Sequence, residues 1–157
     1  MAMHTWFECK IRYDKTMENG MNKKVTEPYL VDALSFTEAE ARIIEEMSPF
    51  ISGEFIVSDI KRANYSELFP CDEEAADRWF KCKLLFVTLD EKSGAEKKTS
   101  SQVLVQAADL RDAVKKLDEG MKGTMADYQI ASVAETPLID VYPFKAEPDE
   151  KPEAGIG

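Results

Sequence analysis

The sequence predicts an α+β fold made of two strand-strand-helix-strand units, with two helices packed on a largely antiparallel sheet. One observation behind this prediction is a repeat, because residues 6–10, Trp-Phe-Glu-Cys-Lys, return at 79–83 as Trp-Phe-Lys-Cys-Lys. Matching aliphatic and small residues continue the correspondence, as where Leu30 and Val31 match Leu104 and Val105. The other observation is composition: 157 residues, 44% hydrophobic and 32% charged, are typical of a globular protein with one core.

A single duplicated domain is therefore expected over residues 1–143. Its parts in chain order are unit one (about 5–62), a connector (63–78), unit two (about 79–135) and a C-terminal segment (136–143). The connector contains Tyr65, Leu68 and Phe69, so it is expected to be structured rather than a flexible linker. Residues 144–157 have too little apolar content to pack and are expected to form a disordered tail.

The first two strands of each unit are predicted to form a hairpin. Phe7, Cys9, Ile11 and Tyr13 alternate with charged residues, which indicates a strand with one solvated face. An Asn-Gly turn at 19–20 leads to a second strand, where Pro28 predicts an edge position or a bulge because proline cannot donate a ladder hydrogen bond. Unit two repeats this build with strands at 79–89 and 99–106.

A helix and a third strand complete each unit. Ser35 and Glu38 form a capping-box pattern, and Asp109 takes the place of Ser35 in unit two. Apolar residues at spacings of three and four follow each cap, which predicts an amphipathic helix that packs on the sheet. Strands are then expected at 54–60 and 127–133.

Composition limits the classes of function. The formal net charge is −10, and both halves are acidic, which disfavours a phosphate-binding role. Three cysteines, an odd number, and the lack of a secretory or membrane-spanning apolar run predict a cytoplasmic protein that does not enter a membrane. His4 is the only histidine, which argues against a catalytic triad or a His-rich metal site. No catalytic residue, metal ligand or cofactor is predicted.

Cys9 and Cys82 occupy equivalent strand positions, and two neighbouring thiols could bind a soft metal or form a redox pair. Both fall on the apolar face of their strands, beside Phe7 and Phe80. Buried free cysteine is a common core residue, so core packing is the favoured interpretation.

The face opposite the core carries two tryptophans interleaved with bases. These candidate binding residues are Trp6, Lys10, Arg12, Trp79, Lys81 and Lys83. Aromatic platforms with neighbouring bases are how single-stranded nucleic acid is commonly held. The acidic total and the aliphatic residues beside Trp79 favour packing or a protein interface instead.

A second candidate site is an open sheet edge. Residues 99–105 contain neither proline nor charge, so a partner strand or a second copy could add to them if they lie at an edge. The residues expected to take part are Thr99, Gln102, Val103 and Val105.

Residues 5–13 and 25–42 resemble a family of small bacterial proteins known only as a domain of unknown function. The resemblance extends to about Val141, and residues 29–42 are its most specific part. It implies a stand-alone bacterial cytoplasmic protein and provides no catalytic residues.

These observations together predict a non-enzymatic binding or regulatory protein that acts through a protein partner or through self-association as a homodimer. The alternative is a single-stranded nucleic-acid accessory protein that uses the Trp6 and Trp79 face. A weaker alternative is a small-molecule or metal site between the two units.

Overall fold

The computed structural model describes residues 5–124 and 127–143. It confirms the α+β class, with two helices and two four-stranded, mostly antiparallel sheets. The chain divides into two compact units: unit 1 extends to Arg62 and resumes at Asp140, and unit 2 is Ala63–Ile139. His4 and the tail predicted at 144–157 lie outside the described residues.

The elements follow the predicted order, with one short strand added after each unit's third strand. They are β1 (Trp6–Thr16), β2 (Asn22–Asp32), α1 (Phe36–Met47), β3 (Phe55–Ala63), β4 (Glu67–Phe69), β5 (Arg78–Leu89), β6 (Glu96–Ala107), α2 (Leu110–Gly120), β7 (Asp127–Glu135) and β8 (Asp140–Tyr142).

Each unit has its own sheet, where the sequence predicted one. The strand order is β3-β1-β2-β8 in unit 1 and β7-β5-β6-β4 in unit 2. The hairpins pair antiparallel, with Phe7 opposite Val31 and Phe80 opposite Val105. Two sheets form because each hairpin gains one neighbouring strand on either side within its own unit. The two sheets therefore have matching strand orders, and the duplication itself stays a prediction.

The hairpin turn of unit 1 depends on the predicted Asn-Gly pair. Gly20 has a φ of 84°, a left-handed conformation that favours glycine, and its N–H donates to the Met17 carbonyl at 2.9 Å. The Asn19 side chain accepts from the Met21 N–H at 3.0 Å. This turn fixes the register in which Thr16 lies opposite Asn22.

Alternation along β1 and β5 sends one set of side chains toward the helix of each unit. In unit 1, Phe7, Cys9 and Ile11 have no exposed surface and pack in a cluster with α1. A separate cluster in unit 2 includes Phe80 and Cys82. Each buried large apolar side chain contributes about 1.5–3 kcal/mol relative to an exposed one, so these two clusters hold each helix on its sheet.

Both helix caps agree with the prediction. The Ser35 hydroxyl accepts from the Glu38 N–H at 3.1 Å, and the Asp109 carboxylate accepts from the Asp112 N–H at 2.8 Å. In α1 the side chain of Glu38 also takes part, because its carboxylate accepts a hydrogen bond from the N–H of Leu34. The reciprocal bond therefore reaches one residue before the cap rather than the cap itself.

The two short strands lie at one edge of each sheet and pair in parallel. β4 runs beside β6, with Leu68 opposite Leu104, and β8 runs beside β2, with Val141 opposite Leu30. The predicted connector is therefore structured, and its strand belongs to unit 2. Pro28 lies just outside the stretch of β2 that β8 covers, consistent with its predicted edge position.

Candidate functional site

The two tryptophans of the predicted binding face are buried. Trp6 is 3% exposed and Trp79 is 4% exposed. Base stacking requires an accessible ring face, so these side chains contribute packing in this structure. The packing interpretation of the sequence therefore agrees with their burial.

The basic residues of that face differ in exposure. Arg12, Lys81 and Lys83 are exposed, whereas Lys10 is half-buried. On β5, Lys81 lies between Leu104 and Ala134, and Lys83 lies between Gln102 and Ser132. Two exposed lysines therefore lie next to β7, the outer strand of the unit 2 sheet.

The prediction of an open sheet edge at residues 99–105 is wrong for most of that segment. Val103 and Val105 are buried, and β4 occupies the edge beside them. The Gln102 carbonyl accepts from the Ser66 N–H at 2.8 Å, which extends this cover by one residue. The physical reason is that the connector folds into a strand. Only the part of the segment near Thr99 lies beyond β4.

The structure places an open, uncharged edge on a different strand, β7. Among the described residues, β5 is the one strand that pairs with β7, so the opposite side of β7 is an outer sheet edge. Residues 128–134, Tyr-Gln-Ile-Ala-Ser-Val-Ala, contain no charge, proline or glycine. We call this outer side of residues 128–134 the β7 edge. Its exposed residues are Gln129, Ile130, Ala131, Ser132 and Ala134.

The corresponding strand in unit 1 is protected. β3 carries Asp59, Lys61 and Arg62, all exposed, and charged side chains on an edge strand discourage another strand from pairing. At the offset of the repeat, Ser132 and Ala134 stand where β3 has Asp59 and Lys61. The β7 edge therefore lacks the protection that its counterpart has.

A bulge in β7 lets two core residues point the same way. Tyr128 and Val133, an odd number of positions apart, both pack against the core of unit 2. Strict alternation would put them on opposite faces, and the register shift opposite Lys83 and Leu84 provides the extra residue. The Tyr128 hydroxyl also donates to Asp118 at 3.1 Å. These contacts anchor β7 on its inner side.

The two strand cysteines are buried in separate units. Neither Cys9 nor Cys82 has exposed surface, and both are free thiols. Burial raises the pKa of Cys9 to about 12, with a smaller contribution from Glu8, and burial raises the pKa of Cys82 to about 11. Both groups are therefore neutral thiols near neutral pH, which is the form expected for core residues.

A hydrogen-bonded cluster around Lys116 in unit 2 was not predicted from the sequence. The Lys116 ammonium donates to Asp112 at 2.7 Å and to Glu73 at 3.0 Å, and these hydrogen bonds raise the pKa of Lys116. Beside it lies an open cavity of about 350 Å³ lined by Phe69, Pro70, Cys71, Lys116, Glu119 and Gly120. Because two carboxylates accept from the ammonium, we infer that the cluster is structural and joins the connector, through Glu73, to α2.

Within residues 5–124 and 127–143, no three His, Cys, Asp or Glu side chains are grouped so that they could hold a metal ion. No helix in the described part of the chain is long and apolar enough to cross a bilayer.

Comparison with known families gives a match over most of the chain. The model of a family described as a domain of unknown function, DUF4494, matches residues 5–144. No curated protein matches the chain.

Proposed function

We propose that this chain, which belongs to the DUF4494 family, is a non-enzymatic binding or regulatory protein that acts through a protein partner or through self-association. We further propose that the β7 edge is the surface involved. The observation that supports this proposal is the uncharged run 128–134 on an outer strand whose counterpart, β3, is charged.

An outer strand presents backbone N–H and C=O groups that a further strand can pair with. Natural proteins block such edges with charge, proline or a covering element, and β3 follows this rule through Asp59, Lys61 and Arg62. A long neutral edge that nothing blocks is an aggregation hazard. In our proposal a partner strand adds to β7 and covers this edge, and backbone hydrogen bonds provide the affinity.

The proposal extends to a bacterial, cytoplasmic location. Its support is the resemblance of the sequence and the presence of three free cysteines, which are typical of a reducing compartment. The nucleic-acid alternative has lost its main support, because Trp6 and Trp79 are buried.

Transfer of the β3 charges to β7 tests the proposal. The double variant Ser132→Asp plus Ala134→Lys, here called the guard variant, copies Asp59 and Lys61 at exposed positions without changing the net charge. The matched control is Ser132→Asn plus Ala134→Gln, which adds side chains of similar size but no charge. Tagged proteins are used to capture partners from the native host, and their association is measured by sedimentation.

We expect the wild type and the control to retain the same captured protein or the same dimer, and the guard variant to lose it. The guard variant should keep the wild-type free energy of unfolding, measured by urea denaturation, within about 0.5 kcal/mol, because both positions are exposed. A folded guard variant that keeps every partner and every dimer would show that β7 is not the binding edge.

A further inference from the structure

The chemical surroundings of the β7 edge indicate what kind of strand it would accept. Lys81 lies directly opposite Ala134, and Lys83 lies directly opposite Ser132, so each lysine shares a sheet face with a small β7 residue. Both lysines are exposed, and neither has an ion-pair partner within the described part of the chain.

We infer that the β7 edge accepts a strand of another protein that carries two acidic side chains at positions i and i+2, which pair with Lys81 and Lys83. This inference rests on the proposed function, since it assigns a partner class to the same edge.

The geometry of a sheet allows this contact. Neighbouring strands lie roughly 4.8 Å apart, so a strand added to β7 lies roughly 10 Å from β5. An extended lysine on β5 and a glutamate on the added strand together cover that distance, provided that the residue between them is small. Ser132 and Ala134 are small and exposed, so they leave a path across β7 for both ammonium groups.

The pattern is specific to unit 2. At the repeat offset, unit 1 has Glu8 where unit 2 has Lys81, and Lys10 where unit 2 has Lys83. Lys10 is half-buried, and the neighbouring outer strand β3 is charged. The lysine pair and the neutral edge therefore occur together on one sheet.

A second copy of this chain fits the edge less well. The charges of β7 itself are Asp127 and Glu135, one at each end of the strand. Antiparallel pairing of β7 with β7 over its full length would place Asp127 opposite Glu135, and like charges directly opposite are destabilising. The net charge of −10 adds repulsion between two copies. An acidic strand of a different protein avoids the first of these costs and gains both lysines.

Peptide binding to the full chain tests the inference. The probes are fluorescent nine-residue peptides of alternating Thr and Val with Glu at positions 4 and 6, or with Gln or Lys at those positions. Fluorescence anisotropy is used to measure the Kd for the wild type, for Lys81→Gln plus Lys83→Gln, and for the control Lys97→Gln plus Lys98→Gln. The control removes the same charge from exposed positions on β6.

We expect the wild type and the control to bind the Glu peptide about 5-fold more tightly than the Gln peptide, and the Lys peptide most weakly. The preference should fall to about 1-fold in the Lys81 and Lys83 variant, and should shrink for the wild type in about 0.5 M salt. The guard variant should bind none of the peptides.

Equal binding of the Glu and Gln peptides by the wild type, or an unchanged preference in the Lys81 and Lys83 variant, would overturn the inference. If no peptide binds while the guard variant still loses its captured partner, the proposed function stands and the acidic strand is wrong. A wild-type dimer that the guard variant abolishes, without peptide binding, would assign the edge to a second copy.

Discussion

The positions of single side chains decide most of the chemistry of this protein. Cys9 and Cys82 face inward because alternation along β1 and β5 puts them beside Phe7 and Phe80, and the sequence predicts this burial correctly. The cluster around Lys116 was not predictable, since Glu73 is 43 positions away and no local pattern relates the two residues. Side-chain pairs of this kind depend on tertiary structure.

The buried thiols predict a loss of stability at high pH. Unfolded thiols titrate near 9.0, whereas the folded pKa is about 12 for Cys9 and about 11 for Cys82. Because its folded pKa is raised, each buried thiol makes its full contribution to the free energy of unfolding below about pH 9. That contribution is lost as the pH rises toward the folded pKa values. Tyr13, Tyr29 and Tyr142 have raised pKa values and act in the same direction.

A comparison of variants isolates the thiol contribution. Between pH 8 and pH 11, the unfolding free energy from urea titration should fall more steeply for the wild type than for Cys9→Ala plus Cys82→Ala. Both proteins keep the tyrosines, so their effect cancels. Parallel pH profiles would contradict the assignment of these thiols to the core.

Among the elements, those with a strong local signal were predicted and the shortest were not. The hairpins follow from alternation and the Asn-Gly turn, and the helices follow from their caps and apolar stripes. β4 and β8 are three residues each, too short for periodicity to identify. Because β4 was not predicted, the open edge was expected on the wrong strand: β4 covers the edge at Val103 and Val105.

The capping side chains provide a prediction for the helices. Ser35→Ala and Asp109→Ala should each lower the unfolding free energy by about 1 kcal/mol, because an N–H at the start of the helix loses its acceptor. Urea denaturation is used to measure both variants. Thr37→Ala and Arg111→Ala, at exposed positions in the first turn of each helix, serve as controls and should have smaller effects. Unchanged midpoints for both cap variants would contradict the role of these side chains.

At the scale of the whole molecule, each short strand pairs in the unit other than the one it follows in the chain. β4 follows the third strand of unit 1 but pairs in unit 2, and β8 follows the third strand of unit 2 but pairs in unit 1. The duplication that the sequence predicts, with units at about 5–62 and 79–135, stays a prediction. The sequence did not predict this exchange, because the pairing of a three-residue strand depends on which edge is left uncovered. That the two units form one domain stays a prediction.

Removal of β8 should destabilise unit 1. Val141 is buried, and Tyr142 stacks on Tyr29 with 6.1 Å between ring centroids. A chain that ends at Ile139 should therefore lose roughly 3 kcal/mol of stability relative to one that ends at Pro143, as measured by urea denaturation. The second chain is the control, because it keeps β8. Equal stability of the two would mean that β8 contributes little to its sheet.

The exchange of edge strands also has a consequence for synthesis. Domains fold during translation as their residues leave the ribosome, generally from the N-terminal side. All four strands of the unit 2 sheet lie between Glu67 and Glu135, whereas the unit 1 sheet needs Asp140–Tyr142. The unit that is translated first is therefore the one that is completed last. While β5 to β7 are being made, the strand that covers the β2 edge of the unit 1 sheet has therefore not yet been synthesised.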